Sequence, residues 1–431
     1  MLVRPAKIVR GQITLPGDKS ISHRAAIFAA MAEGESRILN FATSVDCAAT
    51  LDCLRQLGVE VRQEGSTVWV RGVGKSGFHA HQSALDCGNS GTTMRLMAGV
   101  LAGQRFDSVL TGDESLQSRP MRRIMEPLTA MGASIESSNG LAPLLIQGRP
   151  LRSIEYELPV ASAQIKSCVL LAALNARGET AVIEPVPTRD HTERMLRWFG
   201  VDVRETSLPA GKRIAVDGSL QMAAADITVP SDISSAAFFL VLGISLKNSD
   251  LQIRNVGLNP TRTAVIATLR DLGAVIKTEN EREQNNEPVG DIHIRGGIAS
   301  AGETIVKGNV IANLVDELPI LAVLGTQLKN GLEVRDAGEL RVKETDRIAA
   351  VVENLRRMQA DVEEFDDGFR VRRSDLKGAR VDSFGDHRIA MAFAVAGSLA
   401  TAGETEIVGA ECVDVSFPGF FEVLEDVVVY E

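Results

Sequence analysis

One feature constrains this chain more than any other: it repeats. Six segments share a short polar cluster, an apolar run of helix length, a Gly or small polar break, and then a strand. Their anchors are Asp18, Asn89, Ser162, Asp232, Asp316 and Asp386, at steps of 71, 73, 70, 84 and 70 residues. Such a period marks supersecondary modules that bury their apolar faces only by stacking. A second helix follows within most units and closes on a glycine before a strand, as at Gly58, Gly132, Gly200 and Gly273. Glycine there suits the left-handed residue just past a helix. The fifth copy has Gln359 instead. Each unit reads strand–helix–strand–helix–strand–strand, and the sixth is truncated, with Phe417-Pro418-Gly419-Phe420 opening a remnant second helix. The long step contains Thr278 to Pro288, a polar insertion that reads as an exposed hairpin tip.

Six such units exceed one comfortable core, so an α/β chain with three βαβαββ repeats in each of two domains is expected. The join falls near Asp217 to Val229, and the first strand, Ala6 to Leu15, fits either domain. No apolar stretch reaches the roughly 18 residues of a membrane span. The opening residues have no apolar core or cleavage site of a secretory signal. Five cysteines, an odd number without C-x-x-C, fit a reducing cytoplasm and argue against a disulfide framework or zinc site. With 46 basic against 56 acidic residues and 4% aromatics, a nucleic-acid partner is not expected.

The polar clusters stand where the first helices start. Ser, Thr, Asp and Asn at such points are explained by N-capping, and Asp232-Ile233-Ser234-Ser235 reads that way. Cations there oppose the helix dipole. Yet Lys19, Arg24, Lys166 and Arg388 occupy first-helix starts, and Arg119, Arg122, Arg123, Arg189, Lys343 and Arg347 occupy second-helix starts. An acidic chain that gathers cations onto helix N-termini implies anionic ligands. Gly17-Asp18-Lys19-Ser20 lacks the upstream glycine of a P-loop, and His79-x-His81 has no third metal ligand nearby.

Pro16-Gly17-Asp18-Lys19-Ser20-Ile21-Ser22-His23-Arg24, Gly88-Asn89-Ser90-Gly91-Thr92-Thr93-Met94-Arg95, Ser118-Arg119-Pro120-Met121, Ser162-Ala163-Gln164, Arg341-Val342-Lys343-Glu344-Thr345-Asp346-Arg347 and Asp386-His387-Arg388 stand in order along the chain. Together they resemble the 5-enolpyruvylshikimate-3-phosphate synthase family, from about residue 5 to residue 420. The resemblance implies the two-domain enolpyruvyl transferase fold, an inside-out α/β barrel with three repeats per domain. It divides the chain into 17–228 and 1–16 plus 229–431, crossing near 14–18 and 225–230, with domains that close around the substrates.

It also implies the chemistry. The enolpyruvyl group of phosphoenolpyruvate passes to the 5-hydroxyl of shikimate 3-phosphate with release of phosphate, without metal or cofactor. Phosphoenolpyruvate falls to Lys19, Asn89, Gly91, Arg119, Gln164, Arg347 and Arg388, because planar guanidinium forks suit its carboxylate and phosphate. Shikimate 3-phosphate falls to Lys19, Ser20, Arg24, Ser162, Ala163, Gln164, Arg189, Asp316 and Lys343. Asp316, Glu344, Lys19 and His387 are the proton-transfer candidates, with Asp316 as the usual base. Asp316-Glu317 before Leu318-Pro319 also fits a helix cap. Many members carry a lysine before the C-terminal Ser/Thr-Phe-Pro, whereas Cys412 to Pro418 holds no cation. Ala163, Glu339 and Arg189 to Arg194 resemble the second of two family subgroups. Gly91 implies sensitivity to glyphosate, and the expected form is a cytoplasmic monomer with no membrane or nucleic-acid partner.

Two rivals predict other features. UDP-N-acetylglucosamine enolpyruvyl transferase shares the fold but opens with Lys-Asn and carries a loop cysteine where Gly112 to Ser118 stands here. A non-enzymatic repeat scaffold predicts clusters that differ only by capping preference.

Overall fold

The computed structural model describes residues 1–219, 221–298 and 304–430. The apolar runs form six helices: α1 (Lys19–Met31), α2 (Gly91–Ala102), α3 (Ala163–Ala173), α4 (Ile233–Ser245), α5 (Leu318–Gly325) and α6 (His387–Ser398). Their sequences are small and apolar all round, which leaves no face for water. Every residue of α5 and α6 is buried, as is α4 from Ile233 to Ile244. The second helices, such as Arg122–Ala130, His191–Trp198 and Arg347–Arg357, bury one face only.

The chain divides into two compact units. The first is Gly17–Val229 with Glu283–Glu287; the second is Met1–Pro16, Pro230–Arg282 and the chain from Pro288 onward. Within the first, α1, α2 and α3 pack on one another, and within the second α4, α5 and α6 do.

One sheet order recurs around them. A strand pairs in parallel with the strand after the core helix, which pairs antiparallel with the last strand of the repeat, which pairs with the third. The orders Leu85–Asp86, Asp107–Thr111, Leu141–Gln147, Ser134–Ser138 and Ile305–Val306, Leu332–Val334, Gly368–Val371, Val362–Phe365 are two instances. The first repeat draws its parallel strand from Ile227–Thr228, paired with Ile38 and Leu39. The N-terminal strand Ile8–Thr14 instead lies parallel to Asp250–Gly257 in the second unit. The sixth repeat ends in helix Phe420–Val427, and the rings of Phe417 and Phe420 pack edge to face at 5.5 Å.

The second helices end alike. In the first copy the N–H of Gly58 donates to Arg55 and that of Val59 to Leu54; in the fifth, Gln359 donates to Arg356 and Ala360 to Leu355. Gly58, Gly132, Gly200 and Gly273 take φ between +84° and +99°, and Gln359 holds the same region at +64°.

The polar insertion is a hairpin, Val275–Gln284 and Glu287–Arg295, but its tip is not exposed. Asn285 Oδ1 accepts from the Thr228 N–H at 2.8 Å, Gln284 Nε2 donates to the Thr228 carbonyl, and Arg194 donates to the Asn286 carbonyl. Glu287 is 4% exposed, 2.7 Å from His191 Nδ1. Amide side chains serve these residues as partners for backbone groups, not as a solvated loop.

Candidate active site

Capping separates the six anchors. Asp18, Ser162, Asp232 and Asp386 each accept a hydrogen bond from a backbone N–H in the first turn of their helix. Asn89 does not, because Ser90 takes the cap of α2. Asp316 stands one residue before the cap position of α5, which Glu317 occupies without a capping bond. These two anchors face other side chains.

In the first unit Arg24, Arg119 and Arg95 donate to neutral acceptors. Arg24, 3% exposed, donates from Nε to Thr192 Oγ1 at 2.8 Å, from Nη2 to Ser167 Oγ at 2.8 Å and from Nη1 to the Ser20 carbonyl at 2.9 Å. Burial pulls its pKa down to about 10; Glu193 and Asp18 work against that, and nearby Arg189 adds to it. Arg189 thus adds positive charge to the surroundings of Arg24, which favours an anion there. Arg119 donates to Asn89 Oδ1 at 2.6 Å and to Ser115 Oγ at 3.0 Å, while Asn89 Nδ2 donates to Asp113. Arg95, one turn after Gly91, donates to Gln164 Oε1 at 2.6 Å, and Gln164 Nε2 donates to Thr92. Ser162 and Ala163 open α3 beside them. Lys19 instead meets a carboxylate, with its Nζ 2.9 Å from Asp46 Oδ2.

Gly91 is the first residue of α2 and its φ is not positive, so turn geometry does not account for it. A Cβ there would lie 2.9 Å from Arg95 Nη1 and 3.7 Å from Arg119 Nη1. The missing side chain lets the Arg95 guanidinium lie against that helix start, with Arg119 close by.

Lys166 is a correction to the cation pattern. It is fully buried, 2.6 Å from Glu193 and 2.9 Å from Glu184. Burial would lower its pKa, but Glu193 and Glu184 raise it on balance. It is a buried cation held between two carboxylates. Arg122 is exposed and leans on the Asn139 carbonyl.

In the second unit the cations meet carboxylates. Asp316 Oδ1 lies 3.6 Å from Arg347 Nη1 and 3.6 Å from Arg388 Nε, and its backbone carbonyl accepts from Arg388 Nη1 at 3.0 Å. Arg347, 1% exposed, donates from Nε to Asp386 Oδ2 and from Nη2 to Glu344 Oε2, both at 2.7 Å. Burial would lower the Arg347 pKa, but Asp386, Glu344 and Asp316 raise it. Lys343 lies 3.7 Å from Glu339; burial lowers its pKa against the pull of Asp316. His387 is buried in the first turn of α6. Near Ser416, burial pushes the Cys412 thiol up to about 11.

Arg95 closes the Gly88 to Arg95 motif of the sequence but is given no role there, and Asp46, Ser115, Ser167 and Thr192 are not singled out. Arg95 carries a signal, four residues after Gly91 and so on the same helix face. The others meet their partners only through the fold. Among the described residues no group of His, Cys, Asp and Glu is arranged to hold a metal ion. Segment Gly112 to Ser118 contains the turn Glu114–Gln117 and no thiol.

Known proteins resemble the whole chain. The sequence model of EPSP synthase (3-phosphoshikimate 1-carboxyvinyltransferase) matches residues 3–424. A 3-phosphoshikimate 1-carboxyvinyltransferase of Solibacter usitatus is 50% identical over 426 residues, 98% of each chain. One of Salinibacter ruber is 51% identical over 430 residues, again 98% of each. A solved EPSP synthase from Acinetobacter baumannii superposes with a TM-score of 0.88 at 42% identity, covering 99% of this chain and 98% of its own.

Proposed function

The chain belongs to the EPSP synthase family, and from that premise we propose how its residues divide the reaction. It transfers the enolpyruvyl group of phosphoenolpyruvate to the 5-hydroxyl of shikimate 3-phosphate, in the shikimate route to aromatic amino acids. The 5-oxygen attacks C2 as the hydroxyl loses its proton and C3 gains one. The tetrahedral adduct then expels phosphate while a C3 proton leaves.

The 3-phosphate rests on Ser20, Arg24, Ser162, Ala163 and Arg189, and Gln164 and Lys343 hold the ring hydroxyls. The two like-charged arginines of the first unit support this reading. Phosphoenolpyruvate takes Asn89, the backbone of Gly91, Arg119, Gln164, Arg347 and Arg388, with Lys19 contacting both substrates. Asp316 removes the 5-hydroxyl proton. The carrying observation is its carboxylate, one residue off the cap position and turned to guanidiniums. For the C3 proton Glu344 is favoured over His387 and Lys19. It is half-buried beside the Arg347 guanidinium, to which it is bonded, whereas His387 is enclosed and Lys19 is paired to Asp46.

Glyphosate is read as an inhibitor at the phosphoenolpyruvate subsite. A cytoplasmic monomer is the companion reading. It draws on five free thiols and on the finding that, among the described residues, no single helix is long and apolar enough to cross a membrane.

Phosphate release from the two substrates tests the assignment. Asp316→Asn should keep measurable shikimate 3-phosphate binding while turnover falls by about 10²–10⁴-fold, the usual worth of a positioned base. Wild-type turnover in that variant removes Asp316 from the chemistry.

A further inference from the structure

The second-helix arginines recur at similar offsets from their anchors. Arg119, Arg189 and Arg347 follow their anchors by 30, 27 and 31 residues, and Arg262 follows Asp232 by 30. The first three are read as substrate contacts. Arg262 differs: it is 4% exposed and its guanidinium is directed at carboxylates. Nη2 donates to Ser234 Oγ at 2.6 Å and lies 3.7 Å from Asp232 Oδ1, while Nη1 lies 4.0 Å from Asp316 Oδ2. The Ser234 hydroxyl in turn donates to Glu317, the residue next to Asp316, which is 2% exposed.

The backbone that carries Arg262 is pinned as well. Asn259, 1% exposed, accepts from the Thr261 N–H at 2.9 Å and the Thr261 hydroxyl at 2.8 Å, and its carbonyl accepts from the Arg262 N–H at 2.8 Å. Such an Asx turn fixes the chain just before helix Ala264–Asp271. A planar fork on a rigid turn holds direction as well as charge.

We propose that Arg262 is a positioning residue for the reaction: it touches no substrate and holds the Asp316 carboxylate in place, with Ser234 and Glu317 locking its fork. The proposal rests on the reading of Asp316 as the base. Arg347 and Arg388 also face Asp316, and Lys343 acts on it, but each of these is read as a substrate contact whose charge is shared once ligands bind. Arg262 keeps its acceptors throughout the cycle, so it fixes where Asp316 points and the pH at which it becomes a base.

The test is the pH dependence of kcat, on active-site-titrated enzyme so that a lower folded fraction does not enter. Loss of a cation about 4 Å away raises a carboxylate pKa. In Arg262→Gln the acidic limb of kcat should therefore move up by roughly one pH unit or more. Turnover on the plateau should fall on the order of 10- to 100-fold, as for a misplaced catalytic group. The KM of each substrate should stay within about twofold, since Arg262 meets neither. Arg262→Lys and Ser234→Ala disturb folding less; both should lower kcat with the limb near its wild-type position, because the charge remains. An unmoved limb in Arg262→Gln, or KM values that rise in step with the loss of activity, overturns the proposal. Asp316→Asn separates the two failures. If it is fully active, the base assignment fails; if it is inactive while Arg262→Gln leaves limb and kcat unchanged, only the role of Arg262 fails.

Discussion

The candidate-site arginines of the two units are held in opposite ways. In the first unit Arg24 rests on two hydroxyls and a carbonyl, and Arg119 and Arg95 rest on amide, hydroxyl and carbonyl oxygens. Neutral acceptors fix the direction of a guanidinium and leave its charge unspent. In the second unit Arg347 is gripped by Asp386 and Glu344, and Asp316 is ringed by Arg262, Arg347 and Arg388. There the charges nearly cancel within the cluster. On the proposed assignment, the first arrangement suits the binding of anions. The second sets a carboxylate among guanidiniums that also meet phosphoenolpyruvate, which suits proton transfer beside a bound anion.

The strongest way to break this comparison is to remove one arginine from each side. Arg347→Gln leaves Asp386, which is fully buried, and Glu344 without their cation. Breaking a buried pair from one end costs about 3–5 kcal/mol. Arg24→Gln removes hydrogen bonds to neutral acceptors only and should cost about 1–3 kcal/mol, the range for an orphaned polar partner. Both should lose activity heavily. Arg347→Gln is expected to fail through stability and phosphoenolpyruvate together, Arg24→Gln mainly through the KM for shikimate 3-phosphate. Urea unfolding of the two variants measures the difference, and equal midpoints would show that the acceptors are not what distinguishes the units.

Gly91→Ala sharpens the picture on the first side. The added methyl would press on Arg95 Nη1 at 2.9 Å, the far end of a flexible side chain. The guanidinium gives way, and the cost, about 1–3 kcal/mol as for other overpacked sites, falls on ligand binding. Glyphosate, slightly longer than phosphoenolpyruvate, should lose more affinity. The inhibition constant and the KM for phosphoenolpyruvate are the two readings; a rise by one common factor shows that this helix start does not line the pocket.

His23 reports the same field by pH. It is fully buried on α1 with Nδ1 2.7 Å from Thr50 Oγ1, and its pKa is lowered by burial first, then by Lys19 and Arg24. Below the ordinary value near 6.5 the unfolded chain takes up a proton that the folded one refuses. Stability is therefore full above that pH and falls beneath it, by at most about 1.4 kcal/mol per pH unit from this group. His23→Asn should flatten the slope between about pH 7 and pH 5. Matching slopes in variant and wild type would mean that His23 titrates normally.

The parts of the molecule legible in sequence are those set by local period and local chemistry. The all-round apolar runs gave the six core helices, and Ser162 and Asp232 are the N-caps that their positions predict. What escaped was long-range. Nothing near Lys166 in sequence announces Glu184 and Glu193, and nothing near Arg24 announces Ser167 and Thr192, 143 and 168 residues away. The tip at Asn285 and Asn286 looked solvated because amide side chains are polar, yet they pair with backbone groups around Thr228 and Arg194. Arg262 lies between these cases, since the repeat offset marks it and only the fold shows which way it turns.

The smallest prediction concerns the scaffold, where the two units are alike and should stay alike. Gly200 in the first unit and Gln359 in the second follow a helix with the same two closing bonds, and their φ values are +84° and +64°. A residue with a Cβ in that region is strained by about 1–2 kcal/mol, while glycine loses roughly 0.5–1 kcal/mol of backbone entropy on folding. Gln359→Gly should therefore stabilise, by a few tenths to about 1 kcal/mol. Gly200→Ala is the mirror experiment, because a Cβ there meets nothing within 4 Å and any loss is conformational. It should destabilise by a similar amount. Neither position touches the clusters described above, so kcat and both KM values should hold. Opposite shifts in the urea midpoint are the expected pair. If both substitutions shift it the same way, the two helix ends are not equivalent, and the likeness of the units stops at their hydrogen bonds.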